Sequence, residues 1–234
     1  MAAAILQARM SSTRLPGKVM RPLAGRPMIE RQIERLRPCA TLDRLIVATS
    51  DDASDDPLAE HLAGMGVEVF RGSLHDVLDR YVGAARACGA RGVIVRLTAD
   101  CPLADPEVID DCVRLRAERD VDYASNGLRR TYPRGLDVEA FTLAALLAAH
   151  REASDPYERE HVTPFLYRHP ERFSRADLVQ AHDDSRLRWT VDTPEDFAFV
   201  ERVYQALYPT NPRFSSDEVR ALAFGHFEPE QANP

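Results

Sequence analysis

The sequence predicts an α/β fold in which helices cover both faces of a mostly parallel sheet. Short apolar runs alternate with segments of helical period through the first half of the chain. These runs are apolar throughout, as strands buried on both faces are. The 234 residues suffice for one large domain and do not require two. We therefore expect one Rossmann-like, three-layer domain over residues 1–227, followed by a flexible tail at 228–234.

The first half, residues 1–122, alternates strands with helices. We predict strands at Ala3–Ala8, Leu45–Thr49, Val67–Phe70 and Val93–Thr98. We predict helices at Met28–Leu36, Pro57–Met65, Val77–Cys88 and Pro106–Glu118. Parallel strands place their carboxyl ends at one edge of the sheet, which is where such folds bind ligands.

The second half, residues 123–227, has shorter and more mixed elements. We predict strands at Leu136–Phe141, Phe173–Gln180 and Leu187–Val191, and helices at Leu143–Glu152, Tyr157–Tyr167 and Pro194–Leu207. We expect this half to form a smaller mixed α+β lobe over the sheet edge.

Composition excludes several classes of protein. The chain is 44% hydrophobic and 29% charged, which is typical of soluble globular proteins. Its net charge of -7 argues against a nucleic-acid partner or an anionic membrane surface. No apolar run approaches the roughly 20 residues of a membrane span, and no basic leader precedes the first strand, so we expect a cytoplasmic protein. The four cysteines lack disulfide or zinc spacing, and we expect reduced thiols.

A loop rich in cations and small residues follows the first strand. Arg9, Arg14 and Lys18 can converge on a triphosphate. Ser11, Ser12, Thr13 and Gly17 leave the backbone able to approach its oxygens. With a single glycine the loop matches neither a Walker loop nor a dinucleotide fingerprint. An ordinary solvated basic loop is the alternative.

Two aspartates follow predicted strands. Asp100 comes directly after Val93–Thr98, and Asp192 comes after Leu187–Val191. If the two strands are neighbours, the carboxylates share a cleft and suit Mg²⁺, which takes few protein oxygens when phosphates and water complete its shell. Alternatively, Asp192 or Thr193 caps the helix that begins at Pro194.

Two further blocks combine a cation with acids. In the first, Arg134 could clamp a carboxylate, while Asp137 and Glu139 share one face of a strand and could accept sugar hydroxyls. In the second, 158–164, Glu160 and His161 are further candidates for substrate contacts. The alternative interpretation is an exposed turn in the first block and the charged start of a helix in the second. Ion pairs at such exposed positions contribute little to stability.

Other groups carry weaker signals. Asp120 and Asp122 match the D-x-D pattern of metal-dependent glycosyltransferases, although so short a pattern is frequent by chance. Trp189 is expected in the core. Six histidines lack metal-ligand spacing and are expected at the surface or in packing: His61, His75, His150, His169, His182 and His226.

Five ordered blocks resemble the CMP-sugar synthetases, the cytidylyltransferases that activate octulosonate and sialic-acid-type sugars, and in particular their spore-coat-polysaccharide branch. The blocks span nearly 200 residues: Gln7-Ala8-Arg9 with 12–18, Thr98-Ala99-Asp100-Cys101-Pro102, 133–139, 158–164 and 189–196. One position departs from the pattern, because Ala99 stands where a glycine usually precedes the acid.

The resemblance implies a nucleotidyltransferase of the glycosyltransferase-A-like fold that forms a homodimer. It places CTP in residues 1–122, against Gln7, Ala8, Arg9, Ser12, Arg14, Lys18 and Thr98. It gives Mg²⁺ to Asp100 and Asp192, which with Arg9, Arg14 and Lys18 form the expected catalytic set. Residues 123–227 would bind the acceptor and the second subunit.

The implied reaction is transfer of CMP from CTP to a hydroxyl of a small, acidic sugar, with release of pyrophosphate. Two alternatives stay open. A metal-dependent glycosyltransferase would use Asp120 and Asp122 with a nucleotide-sugar donor. A non-catalytic subunit would bind nucleotide without releasing pyrophosphate.

Overall fold

The computed structural model describes residues 2–222; the predicted tail at 228–234 lies outside them. The strands are β1 (Ala2–Gln7), β2 (Pro22–Leu23), β3 (Arg26–Pro27), β4 (Leu42–Ser50), β5 (Glu68–Gly72), β6 (Val93–Thr98), β7 (Tyr123–Ser125), β8 (Glu139–Thr142) and β9 (Arg175–Asp177). The α-helices are α1 (Met28–Leu36), α2 (Asp56–Gly64), α3 (Val77–Ala87), α4 (Pro106–Glu118), α5 (Leu143–Glu152), α6 (Pro156–His161), α7 (Pro164–Arg168), α8 (Pro194–Leu207) and α9 (Ser216–Ala221). Two 3₁₀ turns lie at Lys18–Met20 and Ala53–Asp55.

Seven strands form one sheet in the order β5-β4-β1-β6-β8-β7-β9, and β2 and β3 form a separate hairpin. Strands β5, β4, β1 and β6 are parallel. Strand β8 is antiparallel to both β6 and β7, and β9 is parallel to β7. Only β8 therefore opposes the common direction within this sheet, which confirms the mostly parallel fold.

The central strand β1 separates two apolar layers. Ala4 and Leu6 pack into one cluster with α1, α4 and α8, whereas Ala3 and Ile5 pack into another with α3 and α5. This alternation follows from the two-residue period of a strand. Helices on both faces confirm the three-layer architecture. Within residues 2–222, no helix combines the length and apolar character needed to cross a membrane.

Several helices begin directly after an N-cap residue whose side chain accepts a hydrogen bond from the first turn. The Asp76 carboxylate accepts from the Asp79 amide at 3.0 Å at the start of α3, and Asp105 accepts from the Glu107 amide at 3.0 Å at the start of α4. Five predicted elements have the observed bounds: Met28–Leu36, Val93–Thr98, Pro106–Glu118, Leu143–Glu152 and Pro194–Leu207.

The second half differs from its prediction in several places: β7 and α9 are not among the predicted elements, β8 and β9 are shorter than the strands predicted there, and two further segments have a different structure. The expected helix Tyr157–Tyr167 is two helices, α6 and α7, because the backbone reverses at Val162, where φ is +72°. The expected strand Leu187–Val191 is irregular and contains an isolated bridge between Arg134 and Arg188 instead of a regular ladder. The mixed elements of this half are otherwise present, and β7, β8 and β9 continue the central sheet. The four cysteines are buried free thiols, as expected.

Candidate active site

The site begins where β1 and β6 end side by side. Gln7 pairs with Thr98 in the parallel register, and the Gln7 carbonyl accepts from the Ala99 amide at 2.9 Å. On the other side of β1, the Ala8 amide donates to the Ala48 carbonyl at 3.1 Å. The cation-rich loop and the Asp100 turn therefore leave the same edge of the sheet.

The loop after β1 folds back on Met10. The Met10 carbonyl accepts from the amides of Ser12 and Gly17, both at 2.9 Å. Gly17 has φ of +69°, a conformation that costs a glycine little. The turn it makes sends Lys18 inward, where its side chain is only 11% exposed. The loop thus buries one of its three cations and leaves Arg9 and Arg14 exposed.

Lys18 connects both predicted aspartates. Its Nζ donates to the Val191 carbonyl at 2.7 Å and to Oδ1 of Asp192 at 3.0 Å, and it lies 3.6 Å from Oδ2 of Asp100. The Val191 amide in turn donates to the Asp100 carbonyl at 2.8 Å. The structure therefore brings the two carboxylates together around one ammonium group, although only one of them follows a regular strand.

Asp192 lies among three cations. Besides Lys18, Arg14 Nη2 lies 3.0 Å and Arg188 Nη2 lies 2.7 Å from its Oδ2. Burial opposes ionisation of Asp192, but the three cations outweigh it and hold the pKa of the carboxyl below its usual value. The sequence reasoning missed Arg188, which lies four residues before Asp192 in the segment predicted to be a strand.

The helix after Asp192 is capped by its neighbour. Thr193 Oγ1 accepts from the Asp196 amide at 3.3 Å, and Asp196 accepts from the Thr193 amide at 2.9 Å, which together form a capping box. Thr193 is therefore the N-cap of α8, and the Asp192 carboxylate faces the cations of the cleft.

A cavity of about 200 Å³ lies between the loop and the Asp100 turn. It is lined by every residue that the resemblance assigns to the nucleotide or the metal: Gln7, Ala8, Arg9, Ser12, Arg14, Lys18, Thr98, Asp100 and Asp192. Ala99 also lines it, and among residues 2–222 the non-glycine residues with positive φ are Ala24, Asp120 and Val162. The backbone at 99 thus needs no glycine.

A second cavity, of about 610 Å³, adjoins the first and shares Thr98 and Asp100 with it. Four predicted substrate contacts line this second cavity: Arg134, Asp137, Glu139 and His161. Glu160 lies instead in a third cavity of about 580 Å³, which also contains Arg9 and His161. Each pair of these cavities shares lining residues, so the three adjoin one another.

The acids of the second cavity already have protein partners. Glu139 forms an ion pair with Arg96 and accepts from the Tyr123 hydroxyl at 2.6 Å. Asp137 forms an ion pair with Arg130 and accepts from the Gly135 amide at 2.8 Å. Sequence reasoning missed Arg96, which lies on β6 between the second and third cavities. Contact of these acids with a sugar stays a prediction.

The D-x-D pair lies away from this cleft. Asp120 is in the left-handed conformation after α4, with φ of +48°. Asp122 accepts from the amide and hydroxyl of Ser174 at 2.9 and 2.8 Å. It precedes β7, which runs parallel to β6, so it lies at the edge opposite Asp100. Over residues 2–222, no cluster of three or more His, Cys, Asp or Glu side chains is arranged to hold a metal ion.

Comparison with known proteins agrees with this architecture. The spore coat polysaccharide biosynthesis protein SpsF of Bacillus subtilis is 37% identical over 213 residues, covering 86% of this chain and 85% of that protein. A 3-deoxy-manno-octulosonate cytidylyltransferase of Geobacter sulfurreducens is 35% identical over 117 residues, covering 49% of this chain and 45% of that protein. A cytidylyltransferase structure from Leptospira borgpetersenii superposes with a TM-score of 0.88 at 34% identity, covering 94% of this chain and 92% of the other.

The family model described as cytidylyltransferase matches residues 3–212. This range contains both aspartates, the whole cation-rich loop and the seven strands of the central sheet except Ala2, the first residue of β1. The chain therefore belongs to the cytidylyltransferase family and is a nucleotidyltransferase.

Proposed function

We propose that this enzyme transfers CMP from CTP to a hydroxyl of an acidic sugar of the octulosonate or nonulosonate type, for a surface polysaccharide or glycan. The observation that carries the proposal is the Lys18 ammonium, which joins Asp100 and Asp192 beside the cation-rich loop. The names of the relatives support the product class, since one acts in spore coat polysaccharide biosynthesis and another is an octulosonate cytidylyltransferase.

The reaction breaks the phosphoanhydride bond between the α- and β-phosphates of CTP and forms a phosphate ester with the sugar, whose hydroxyl proton is released to solvent. The sugar oxygen attacks the α-phosphorus of CTP, and the bond from that phosphorus to the bridging oxygen breaks to release pyrophosphate. Arg9, Arg14 and Lys18 would bind phosphate oxygens and neutralise the charge that develops on the departing group. The lowered pKa of Asp192 makes its carboxylate a weak proton acceptor, so we assign it to cation binding.

The residues present fit a magnesium ion. Asp100 and Asp192 supply hard carboxylate oxygens, and both lie within ion-pair distance of the same ammonium group, so they are close neighbours. Mg²⁺ in nucleotide sites commonly takes one or two carboxylates, and phosphates and water fill the other positions. When bound, the ion would stabilise negative charge on the phosphates.

The two halves of the chain would bind different substrates. Residues 1–122 would bind CTP, and residues 123–227 would bind the acceptor in the cavity that contains Arg134 and His161. We further propose that the enzyme acts in the cytoplasm as a homodimer. Light scattering on the purified chain tests the dimer, which predicts a mass near twice 26.2 kDa.

Pyrophosphate release tests the reaction. The chain is incubated with Mg²⁺, one of CTP, UTP, ATP or GTP, and one of an octulosonate, a nonulosonate or a neutral hexose. We expect release only with CTP and a sugar acid. Equal release with the neutral hexose would contradict the acceptor class. CTP binding without release for any acceptor would favour the non-catalytic subunit.

A further inference from the structure

A buried carboxylate lies beneath the cation-rich loop. Asp55 ends the 3₁₀ turn after β4 and is completely buried. Its Oδ1 accepts from the Met10 amide at 2.6 Å, and its Oδ2 accepts from the Ser50 amide at 3.0 Å and from the Ser50 hydroxyl. One side chain therefore ties the loop after β1 to the end of β4.

Both backbone groups of Met10 make hydrogen bonds that hold the loop. Its amide is held by Asp55, while its carbonyl accepts from Ser12 and Gly17. The Met10 amide belongs to the peptide bond that Arg9 precedes, so fixing it also fixes the direction in which Arg9 leaves the strand. The bond to Gly17 sets the turn that sends Lys18 toward the aspartates.

Burial of the charged Asp55 carboxylate carries a desolvation penalty. Within the described part of the chain, no Lys, Arg or His lies at ion-pair distance from it. Arg80, which is also completely buried and donates to the Ser73 carbonyl at 2.6 Å, interacts with Asp55 electrostatically. Arg80 Nε and Nη2 have no hydrogen-bond partner among the described residues. A buried charge destabilises a fold unless hydrogen bonds or an opposite charge compensate it, and Asp55 has the three hydrogen bonds to Met10 and Ser50 for this.

We infer that Asp55 is the positioning residue of the nucleotide site: it holds the Met10 amide so that the loop is shaped for triphosphate before the nucleotide arrives. The inference rests on the proposed function. Preorganised donors bind an anion without reorganisation at the moment of binding. Loss of the Asp55 carboxylate should therefore weaken CTP binding although Asp55 itself lines none of the three cavities of the cleft.

The test compares Asp55→Asn with Asp110→Asn. Asp110 is a matched control because it is also buried and accepts from two amides and a hydroxyl, those of Ala40 and Thr41, away from the cleft. An asparagine keeps the shape but replaces one acceptor oxygen with a donor. We expect both variants to lower the unfolding midpoint, and only Asp55→Asn to raise the calorimetric Kd for CTP, by about tenfold or more.

A double-mutant cycle tests whether Asp55 acts on CTP affinity through Arg9 or only through a general loss of stability. In an Arg9→Ala background, Asp55→Asn should cost less CTP affinity than in the wild type, because the side chain it orients is gone. Additive losses would overturn the inference. If the wild type binds CTP and Asp55→Asn binds it with the same affinity, the inference is wrong and the proposed function is unaffected. Absence of CTP binding by the wild type would overturn both.

Hydrogen exchange on the wild-type chain gives a result that depends on no variant folding. The Met10 amide should be protected without nucleotide, and CTP should change its protection little. The neighbouring amide of Thr13, which lies in an exposed part of the loop, is the internal reference. Met10 exchange as fast as that of Thr13 in the absence of CTP would overturn the inference.

Discussion

Lys18 and Asp192, 174 positions apart in the chain, lie 3.0 Å apart in the fold. The contact exists because Gly17 turns Lys18 inward while the Val191 amide is bonded to the Asp100 carbonyl. One ammonium group therefore joins the cation-rich loop, the end of β6 and the start of α8. A substitution at any of these three places should therefore perturb the structure at the other two.

The carboxylate of Asp100 should be needed for turnover and dispensable for folding. Its backbone carbonyl, not its side chain, accepts from Val191. We expect Asp100→Asn to unfold within a few degrees of the wild type and to lose pyrophosphate release by about 100-fold or more, since metal-assisted charge stabilisation supplies several kcal/mol.

Asp120→Asn is the control for this change. Asparagine tolerates the left-handed conformation that Asp120 adopts, so the variant should fold and keep its activity. Loss of turnover in Asp120→Asn together with a fully active Asp100→Asn would instead favour the glycosyltransferase alternative.

Replacement of Lys18 should cost both stability and activity. Lys18→Met keeps the length of the side chain but leaves the Val191 carbonyl unpaired and brings two carboxylates together without their shared cation. We expect a loss of about 1–3 kcal/mol in the free energy of unfolding and at least a 100-fold loss of turnover. Denaturant unfolding and pyrophosphate release measure the two effects. Wild-type stability in this variant would contradict the bridging role.

The stability that Asp192 contributes should disappear only at low pH. Its pKa is lower in the folded chain than in the unfolded chain, so its contribution is complete above the unfolded value, about 3.9, and is lost as the pH falls through the folded value. The difference in unfolding free energy between the wild type and Asp192→Asn should therefore stay constant from about pH 7 to pH 5 and shrink below about pH 4. A difference that already shrinks between about pH 7 and pH 6 would contradict the lowered pKa.

Gly135 should tolerate no side chain. It has φ of +103°, and a Cβ there would lie 2.6 Å from the Trp189 carbonyl carbon and 2.7 Å from the Thr190 amide nitrogen. Gly66 also has positive φ, of +71°, but a Cβ would meet nothing within 4 Å. Gly66→Ala should cost roughly 1–2 kcal/mol for its conformation alone.

Gly135→Ala should cost a further 1–3 kcal/mol or so from overpacking. It should also weaken CTP binding, because Trp189 and Thr190 lead to Asp192. Denaturant unfolding and calorimetry with CTP check both effects. Equal stability of the two alanine variants would show that the turn at Gly135 can move away without cost.

The sequence predicted the elements whose signals are local. The helical period of apolar residues identified α1, α4, α5 and α8 with their observed bounds, because a helix makes its hydrogen bonds within itself. The irregular segment after Leu187 could not be recognised in this way, because its backbone partner is Arg134, far away in the chain. An apolar run looks the same whether it pairs along its length or at one residue.

The same limit applies to the site. The cations of the loop and the two aspartates are visible as motifs, because each lies in a short run of recognisable residue types. Asp55 lies 45 positions from Met10 and resembles any acid at a helix start until the fold brings the two together. Arg188 was hidden in a segment taken for a strand. Residues that act through distant partners thus require the structure.

The most direct test of the account is the unfolding midpoint of the wild-type chain with CTP, UTP, ATP or GTP, each with and without Mg²⁺. Ligand at about 100 times its Kd adds roughly 2.7 kcal/mol, which for a chain of this size raises the midpoint by about 5–10 °C. We expect such a rise with CTP alone, and we expect Mg²⁺ to strengthen it in the wild type and not in Asp100→Asn. Equal rises with all four nucleotides, or none at saturation, would contradict a cytidine triphosphate site built on the loop and the two aspartates.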